Sequence, residues 1–168
     1  MEDGERERSP NPVDFDETFR RYYGPMVTTL AVAAGDREVA ADCVQDAFTR
    51  AFVRWGRVSR LEDPAGWVRH VAVNRMRDHF RKAERGRRAV DRLGVQTPTV
   101  TGPPGEPNEL ASMLASLPVQ QRIAAALFYV DDMSVAEIAT TMKLSEGAVK
   151  YHLHAARGTL RAALERRS

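Results

Sequence analysis

The sequence predicts an all-α protein: two small helical domains joined by a flexible linker, the second containing a helix-turn-helix. Three observations carry this reading. Apolar residues recur at three- and four-residue spacing along most of the chain, and no alternating β pattern appears. Gly and Pro cluster between Gly94 and Pro107, a stretch with no helical period. The pieces on either side, 14–92 and 108–168, are each the size of a small domain.

Residues 1–13 are acidic, hold Pro10 and Pro12, and are expected to be disordered. Asp14 to Ala34 reads as an amphipathic helix through Phe15, Phe19, Tyr22, Tyr23, Met26, Val27, Leu30 and Ala34, with Pro25 expected to kink or break it. Gly35-Asp36 is a turn and cap. Arg37 to Trp55 makes the next helix. Val39, Cys43, Val44, Ala47, Phe48, Ala51 and Phe52 face inward; Asp42, Gln45, Asp46 and Thr49 face outward. Gly56 to Asp63 is a polar loop.

Pro64 to Arg92 is the helix around which the chain is organised. Asp63 suits the N-cap and Pro64 the first turn. Trp67, Val68, Val71, Ala72, Met76 and Phe80 form one apolar face, and Asn74, Arg77, Asp78 and Arg81 share the opposite one. From Arg69 onwards nine basic residues (Arg69, Arg75, Arg77, Arg81, Arg85, Arg87, Arg88, Arg92 and Lys82) face only Asp78, Glu84 and Asp91. Arg and Asn are two-pronged readers of base edges, and a local positive excess attracts a phosphate backbone. The competing reading of this stretch is a solvated amphipathic helix.

After the linker, 93–107, a short helix spans Asn108 to Leu117 through Leu110, Met113 and Leu114. Val119 to Val130 follows, with Ile123, Ala126, Leu127 and Val130 inward. Asp131-Asp132-Met133 is a turn. Ser134 caps Val135 to Met142, and Glu137 completes a capping box. Leu144 to Gly147 is a second turn, and the last helix runs from Gly147 to about Glu165 with Val149, Leu153, Ala156, Leu160 and Leu164 inward. Two helices joined by a short turn, with small Ala139 at their approach, make a helix-turn-helix. The outward residues of its second helix are Lys150, Tyr151, His154, Arg157 and Arg161.

Charge and composition narrow the function. The net charge of +2 hides a polarised distribution: 1–17 is acidic, while positive charge gathers after Arg69 and after Lys150. The single cysteine, Cys43, excludes an internal disulfide or a cysteine zinc site and reads as a buried structural thiol. Four scattered histidines and the lack of a phosphate loop or nucleophile elbow argue against an enzyme, a metal and a cofactor. No apolar run long enough for a membrane span and no leader pattern occur, so a cytoplasmic protein is expected.

Taken in order, four motifs resemble the extracytoplasmic-function sigma factors of bacterial RNA polymerase. They are Ala41 to Phe48, Pro64 to Asp78, Leu117-Pro118 with Gln121-Arg122, and Ser134 to Arg157, and the resemblance covers about Phe15 to Leu164. It implies a sigma region 2 domain at 14–92 and a region 4 domain at 108–168. Asp42, Gln45, Asp46 and Phe48 would bind core polymerase at its β′ coiled coil, and the second domain would meet the β flap. Arg69, Asn74, Arg77, Asp78 and Arg81 would face minus-ten DNA, with a melted base held by the loop Gly56 to Asp63. Lys150, Tyr151, His154 and Arg157 would grip the minus-thirty-five duplex. An anti-sigma factor is an implied partner. Two departures stand out: Lys143 occupies a turn position that is often Gly, and His152 and Ala155 stand where Arg is frequent, which implies a weaker minus-thirty-five grip. The alternative is a helix-turn-helix regulator that works without polymerase, as a dimer that binds duplex tightly on its own.

Overall fold

The computed structural model describes residues 13–94 and 109–167; the expected disordered start and most of the linker lie outside the described residues. Helices make up the described chain: α1 (Phe15–Ala34), α2 (Arg37–Val53), α3 (Trp55–Val58), α4 (Pro64–Arg92), α5 (Glu109–Ala115), α6 (Val119–Tyr129), α7 (Val135–Met142) and α8 (Glu146–Glu165).

Local chemistry sets the boundaries. Asp14, Asp36, Asp63, Ser134 and Ser145 each accept backbone N–H groups in the first turn of a helix. Ser134 and Glu137 form the full reciprocal capping box. α1 closes on Gly35, whose φ of 68° is left-handed. Lys143 does the same for α7 at φ 52°, an unusual conformation for a side chain with a Cβ.

Several expectations need correction. α1 runs through Pro25 as one helix. An interior Pro costs about 3 kcal/mol, and burial of Met26, Val27 and Leu30 immediately after it supplies the offset. The loop before α4 is partly helical: α3 occupies Trp55–Val58, and Val58 and Ser59 are buried. Phe52, Val130 and Leu164, read as inward, are exposed, because each lies at or near the end of its helix, where the apolar stripe outruns the neighbouring element. Phe19 is also partly open, and Val73, absent from the predicted face, is fully buried.

In the first domain α1, α2 and α4 pack together over Leu30, Val44, Phe48, Val68, Ala72 and Met76. Asp46 on α2 pairs with Arg75 on α4 and with Arg50 on its own helix, tying the two helices at their rim. Cys43 is buried beside them. Burial, with Asp42 and Asp46 adding to it, pushes its thiol up to about 11, consistent with a structural role. In the second domain Ile123, Leu127, Ile138, Met142, Val149 and Leu153 form the helix-turn-helix core.

The two domains do not stand apart. α1 touches α5 and α6, α4 touches α6 and α7, and one apolar cluster runs from Met26 to Leu153 across both. The tether expected from sequence therefore joins two bodies that are docked on each other.

Candidate nucleic-acid and polymerase interfaces

α4 is aimed by its first turn. Asp63 Oδ1 accepts the Gly66 N–H at 2.9 Å. A Cβ on residue 66 would sit 2.3 Å from the Asp63 carboxylate, so glycine is what allows the cap to close. From there the helix carries Arg69, His70, Asn74 and Arg77 in sequence along one side.

That side meets the second domain. Arg69 Nε lies 3.2 Å from Asp131 Oδ2, and both side chains are mostly covered. Burial raises the Asp131 carboxyl above its ordinary value, and Arg69 offsets only part of this. His70 Nδ1 is 2.6 Å from the Thr141 carbonyl oxygen, and Asn74 Nδ2 is 3.0 Å from His70 Nε2. A carbonyl only accepts, so Nδ1 donates to Thr141, which leaves Nε2 to meet the Asn74 amide. Arg77 donates to the Met142 carbonyl at 2.9 Å. Thr141 and Met142 end α7, where orphan carbonyls and the negative helix end favour a cation. Burial, reinforced by Arg81, lowers the Arg77 guanidinium from its usual value.

Farther along α4, Asp78 and Arg81 are exposed and 3.6 Å apart. Arg85, Arg87 and Arg88 border a cleft against α5 and α6 whose wall includes Phe80, with the Arg122 guanidinium 4.9 Å from its ring centroid. A second cleft, of about 660 Å³, runs along the seam from Asp63, Trp67 and His70 to Asp131, Glu137 and Thr141.

α8 presents a different surface. Lys150, Tyr151 and His154 are exposed on it, Tyr151 at 66 %. Arg157 is exposed too, but it donates to the Tyr129 hydroxyl and lies over the Phe128 and Tyr129 rings, so its position is fixed by α6. His152 points back towards the seam; burial and then Arg77 lower its pKa from the ordinary 6.5.

The third surface is an aromatic groove of about 420 Å³ between α1 and α2, lined by Phe15, Phe19, Tyr23, Gln45, Thr49 and Phe52 over Phe48. Phe48 is 2 % exposed and makes edge contacts with Phe15 and Phe19. It shapes the floor; Phe52, 65 % exposed, is the ring that protrudes. Gln45 lies open in its wall and Asp42 is exposed one turn earlier on α2, whereas Asp46 is held by Arg75 and Arg50. Sequence reasoning passed over Phe52 as a surface residue and gave His70 no role. The spacing of His70 to Asn74 and Arg77, i, i+4 and i+7, was the available signal for the latter.

The description Sigma-70 region 2 fits residues 19–86, and Sigma-70, region 4, fits 108–160. The ECF RNA polymerase sigma factor SigL of Mycobacterium tuberculosis is 32 % identical over 138 residues, 78 % of this chain and 77 % of that protein. The chain belongs to the extracytoplasmic-function sigma factors. A sigma factor of this family joins core RNA polymerase and directs it to promoters. The probable RNA polymerase sigma factor RfaY of Xanthomonas campestris pv. campestris is 30 % identical over 156 residues, 84 % of this chain but 38 % of that longer protein. The fold of this sigma factor is shared with RpoE of Bartonella quintana, solved with the anti-sigma factor NepR: TM-score 0.72, 22 % identity, covering 90 % of this chain and 97 % of that one. CnrH, solved with the cytosolic domain of CnrY, gives a TM-score of 0.63 at 27 % identity over 95 % of this chain and 93 % of that one. Among the described residues no helix is long and apolar enough to cross a membrane, and no metal-ligating cluster occurs.

Proposed function

We propose that this sigma factor divides its work among the three surfaces just described and acts in the cytoplasm on polymerase. The first domain, 14–92, binds core polymerase through the aromatic groove with Gln45 in its wall, and through the exposed Asp42 one turn earlier on α2. A protruding Phe52 over a rigid aromatic floor is the geometry of an anchor residue at a protein interface. Asp46 acts within the domain, as the partner of Arg75, and so holds α2 and α4 in register.

The polar side of α4 reads melted minus-ten DNA with Asn74 and Arg77, and Arg69, Asp78 and Arg81 flank them. The turn α3 and the residues up to Asp63 hold an extruded base. Extrusion costs a few kcal/mol, and stacking and phosphate contacts offset that cost. The second domain, 108–168, holds the minus-thirty-five duplex through Lys150, Tyr151 and His154, with Arg157 pinned as a fixed cation. The two grips gain affinity through effective concentration once both ride on polymerase. An anti-sigma factor supplying an apolar helix suits the aromatic groove, in keeping with the partners named for RpoE and CnrH.

The observation that carries this reading is the placement of Asn74 and Arg77 on one face of a capped helix whose opposite face is core. Asn74→Ala in the holoenzyme should lower run-off transcription from promoters mapped in cells about tenfold, a loss of one bidentate base contact, while leaving core binding intact. Phe52→Asp should abolish co-elution with core polymerase while leaving the helical circular dichroism spectrum unchanged. Equal losses of core binding in both variants would refute the division. Tight duplex binding by a dimer without polymerase would favour the polymerase-independent regulator instead.

A further inference from the structure

We propose that the cleft between the second half of α4 and the start of α6 binds a nucleoside polyphosphate. Its phosphates lie among the α4 arginines and the first turn of α6, and its base lies against Phe80 and Gln120. Such a site is separate from promoter recognition and depends on none of the DNA assignments above.

Charge is the first observation. The cleft encloses about 1200 Å³, ample for a ligand of nucleotide size. Its wall holds six arginines, Arg77, Arg81, Arg85, Arg87, Arg88 and Arg122, and one carboxylate, Glu84. Glu84 takes Arg87 at 2.8 Å and Arg88 at 3.4 Å. Arg77 is spent on the Met142 carbonyl and Arg81 on Asp78. Among the described residues Arg85 and Arg122 have no anionic partner, and Arg122 Nε is buried without an acceptor. The guanidiniums also crowd one another: burial and then Arg87 lower Arg122 from its usual value, and Arg81 adds to burial in lowering Arg77. The sequence between α4 and α5, 95–108, offers a single carboxylate, Glu106. A bound polyanion relieves the repulsion and gives the orphaned donor its acceptor.

The start of α6 adds neutral donors. Its N-cap is Pro118, and no side chain caps the helix. The N–H groups of Val119 and Gln120 are therefore left for an acceptor outside the helix, and both residues line the cleft. Backbone N–H groups at the positive end of a helix, beside unpaired guanidiniums, are a cradle for phosphate oxygens. The remaining wall does not suit a phosphate. Phe80 presents an aromatic ring already stacked with Arg122, and Gln120 Oε1 is a buried acceptor without a donor. A phosphate cannot satisfy an acceptor, whereas the amine or ring N–H of a base can. The same base stacks against the Phe80–Arg122 pair. Bare polyphosphate would fill one end of the cleft; a nucleotide fills both.

Isothermal titration calorimetry of the full-length chain tests this with ATP, GTP and inorganic tripolyphosphate as probes. Divalent cations are left out so that the phosphates keep their full charge. At least one nucleotide should bind more tightly than tripolyphosphate. Arg122→Gln should weaken nucleotide binding about tenfold, the loss of one charge-assisted contact. Arg85→Gln, at an exposed position where the fold does not depend on the side chain, should weaken it about fivefold. Gln120→Leu should lower nucleotide affinity, leave tripolyphosphate binding unchanged and not lower Tm, since it removes a buried acceptor that has no partner. Arg20→Gln takes the same charge from the exposed surface of α1, towards the opposite end from Ala34 at the cleft, and should change nothing. Equal affinity for tripolyphosphate and both nucleotides would overturn the nucleotide assignment. No binding at millimolar nucleotide would overturn the site itself, as would a loss in Arg20→Gln equal to that in Arg85→Gln.

Discussion

α4 and α8 are the two helices that carry the proposed DNA-facing residues, and they are treated in opposite ways. The polar face of α4 is occupied: Arg69, His70 and Arg77 each have a partner in the other domain, and Asn74 is held by His70. The polar face of α8 is open, with Lys150, Tyr151 and His154 in solvent. On the proposed assignment, the difference follows from what each helix would read. Duplex DNA is met from outside by a fixed convex surface, and a helix-turn-helix can stay ready for it. A melted strand needs donors for unpaired bases, and an unguarded set of such donors would bind any single strand nearby. On that assignment, covering α4 would remove the competing activity at the cost of a docking equilibrium.

The comparison is broken most sharply by stripping α8. Lys150→Ala combined with Tyr151→Ala should weaken binding of the isolated sigma factor to duplex minus-thirty-five DNA about tenfold. It should also lower the slope of log affinity against log salt by about one, the signature of one lost phosphate contact. Asn74→Ala, measured on the same free chain with single-stranded DNA, should change affinity less than about twofold, because that face is covered before the substitution is made. Electrophoretic shift or anisotropy across a salt series reads both. Equal losses for the two variants would mean that α4 is as open as α8.

How far this asymmetry was legible in the sequence depends on the kind of interaction. The boundaries of α4 and the capping box at Ser134 were readable because they depend on residues three or four apart. The outward direction of Lys150, Tyr151 and His154 followed from the same periodicity. The occupation of α4 was not readable, since it joins His70 and Arg77 to backbone carbonyls 71 and 65 residues away, and a carbonyl leaves no mark in side-chain pattern. Phe48 and Phe52 show the same limit. One turn apart on an apolar stripe they look equivalent; only the position of α1, with Phe15 and Phe19 over Phe48, makes one a floor and the other a protruding ring.

A middle-sized effect tests how each helix is aimed. Asp63 and Ser145 are matching N-caps for α4 and α8. Asp63→Ala and Ser145→Ala should each cost about 1 kcal/mol, a fall in Tm of about 2–4 °C for a chain of this size. The α4 cap has one further constraint. Gly66→Ala should lower Tm by about as much as Asp63→Ala, since the new methyl displaces the carboxylate it would meet at 2.3 Å. The double variant should be no worse than either single one, because both remove the same bond. Gly147 in α8, one position nearer its cap than Gly66 is, has only the Ser145 hydroxyl at 3.9 Å, so Gly147→Ala should be neutral or mildly stabilising. Differential scanning calorimetry separates the two cases.

The smallest effect concerns pH, and it bears on how firmly α4 is covered. His152 lies on α8 but faces the seam, where burial and the Arg77 charge lower its pKa below 6.5. The docked state therefore disfavours the imidazolium. As pH falls through 6.5 the undocked or unfolded chain takes up the proton first, so stability present above that value declines, and the decline ends once pH passes the lower docked-state pKa. Asp131 works in the opposite sense at the acid end: its carboxyl is raised above 3.8, so as pH falls the docked state takes up the proton first, and the stability gained this way is complete near 3.8. Between pH 8 and pH 6 the histidine governs. Wild-type chain should lose on the order of a degree in Tm over that range and expand slightly in scattering, and His152→Gln should do neither. A wild-type seam that tightens on mild acidification would show that His152 does not feel Arg77, and α4 would then be held by the Arg69–Asp131 pair and the α7 carbonyls alone.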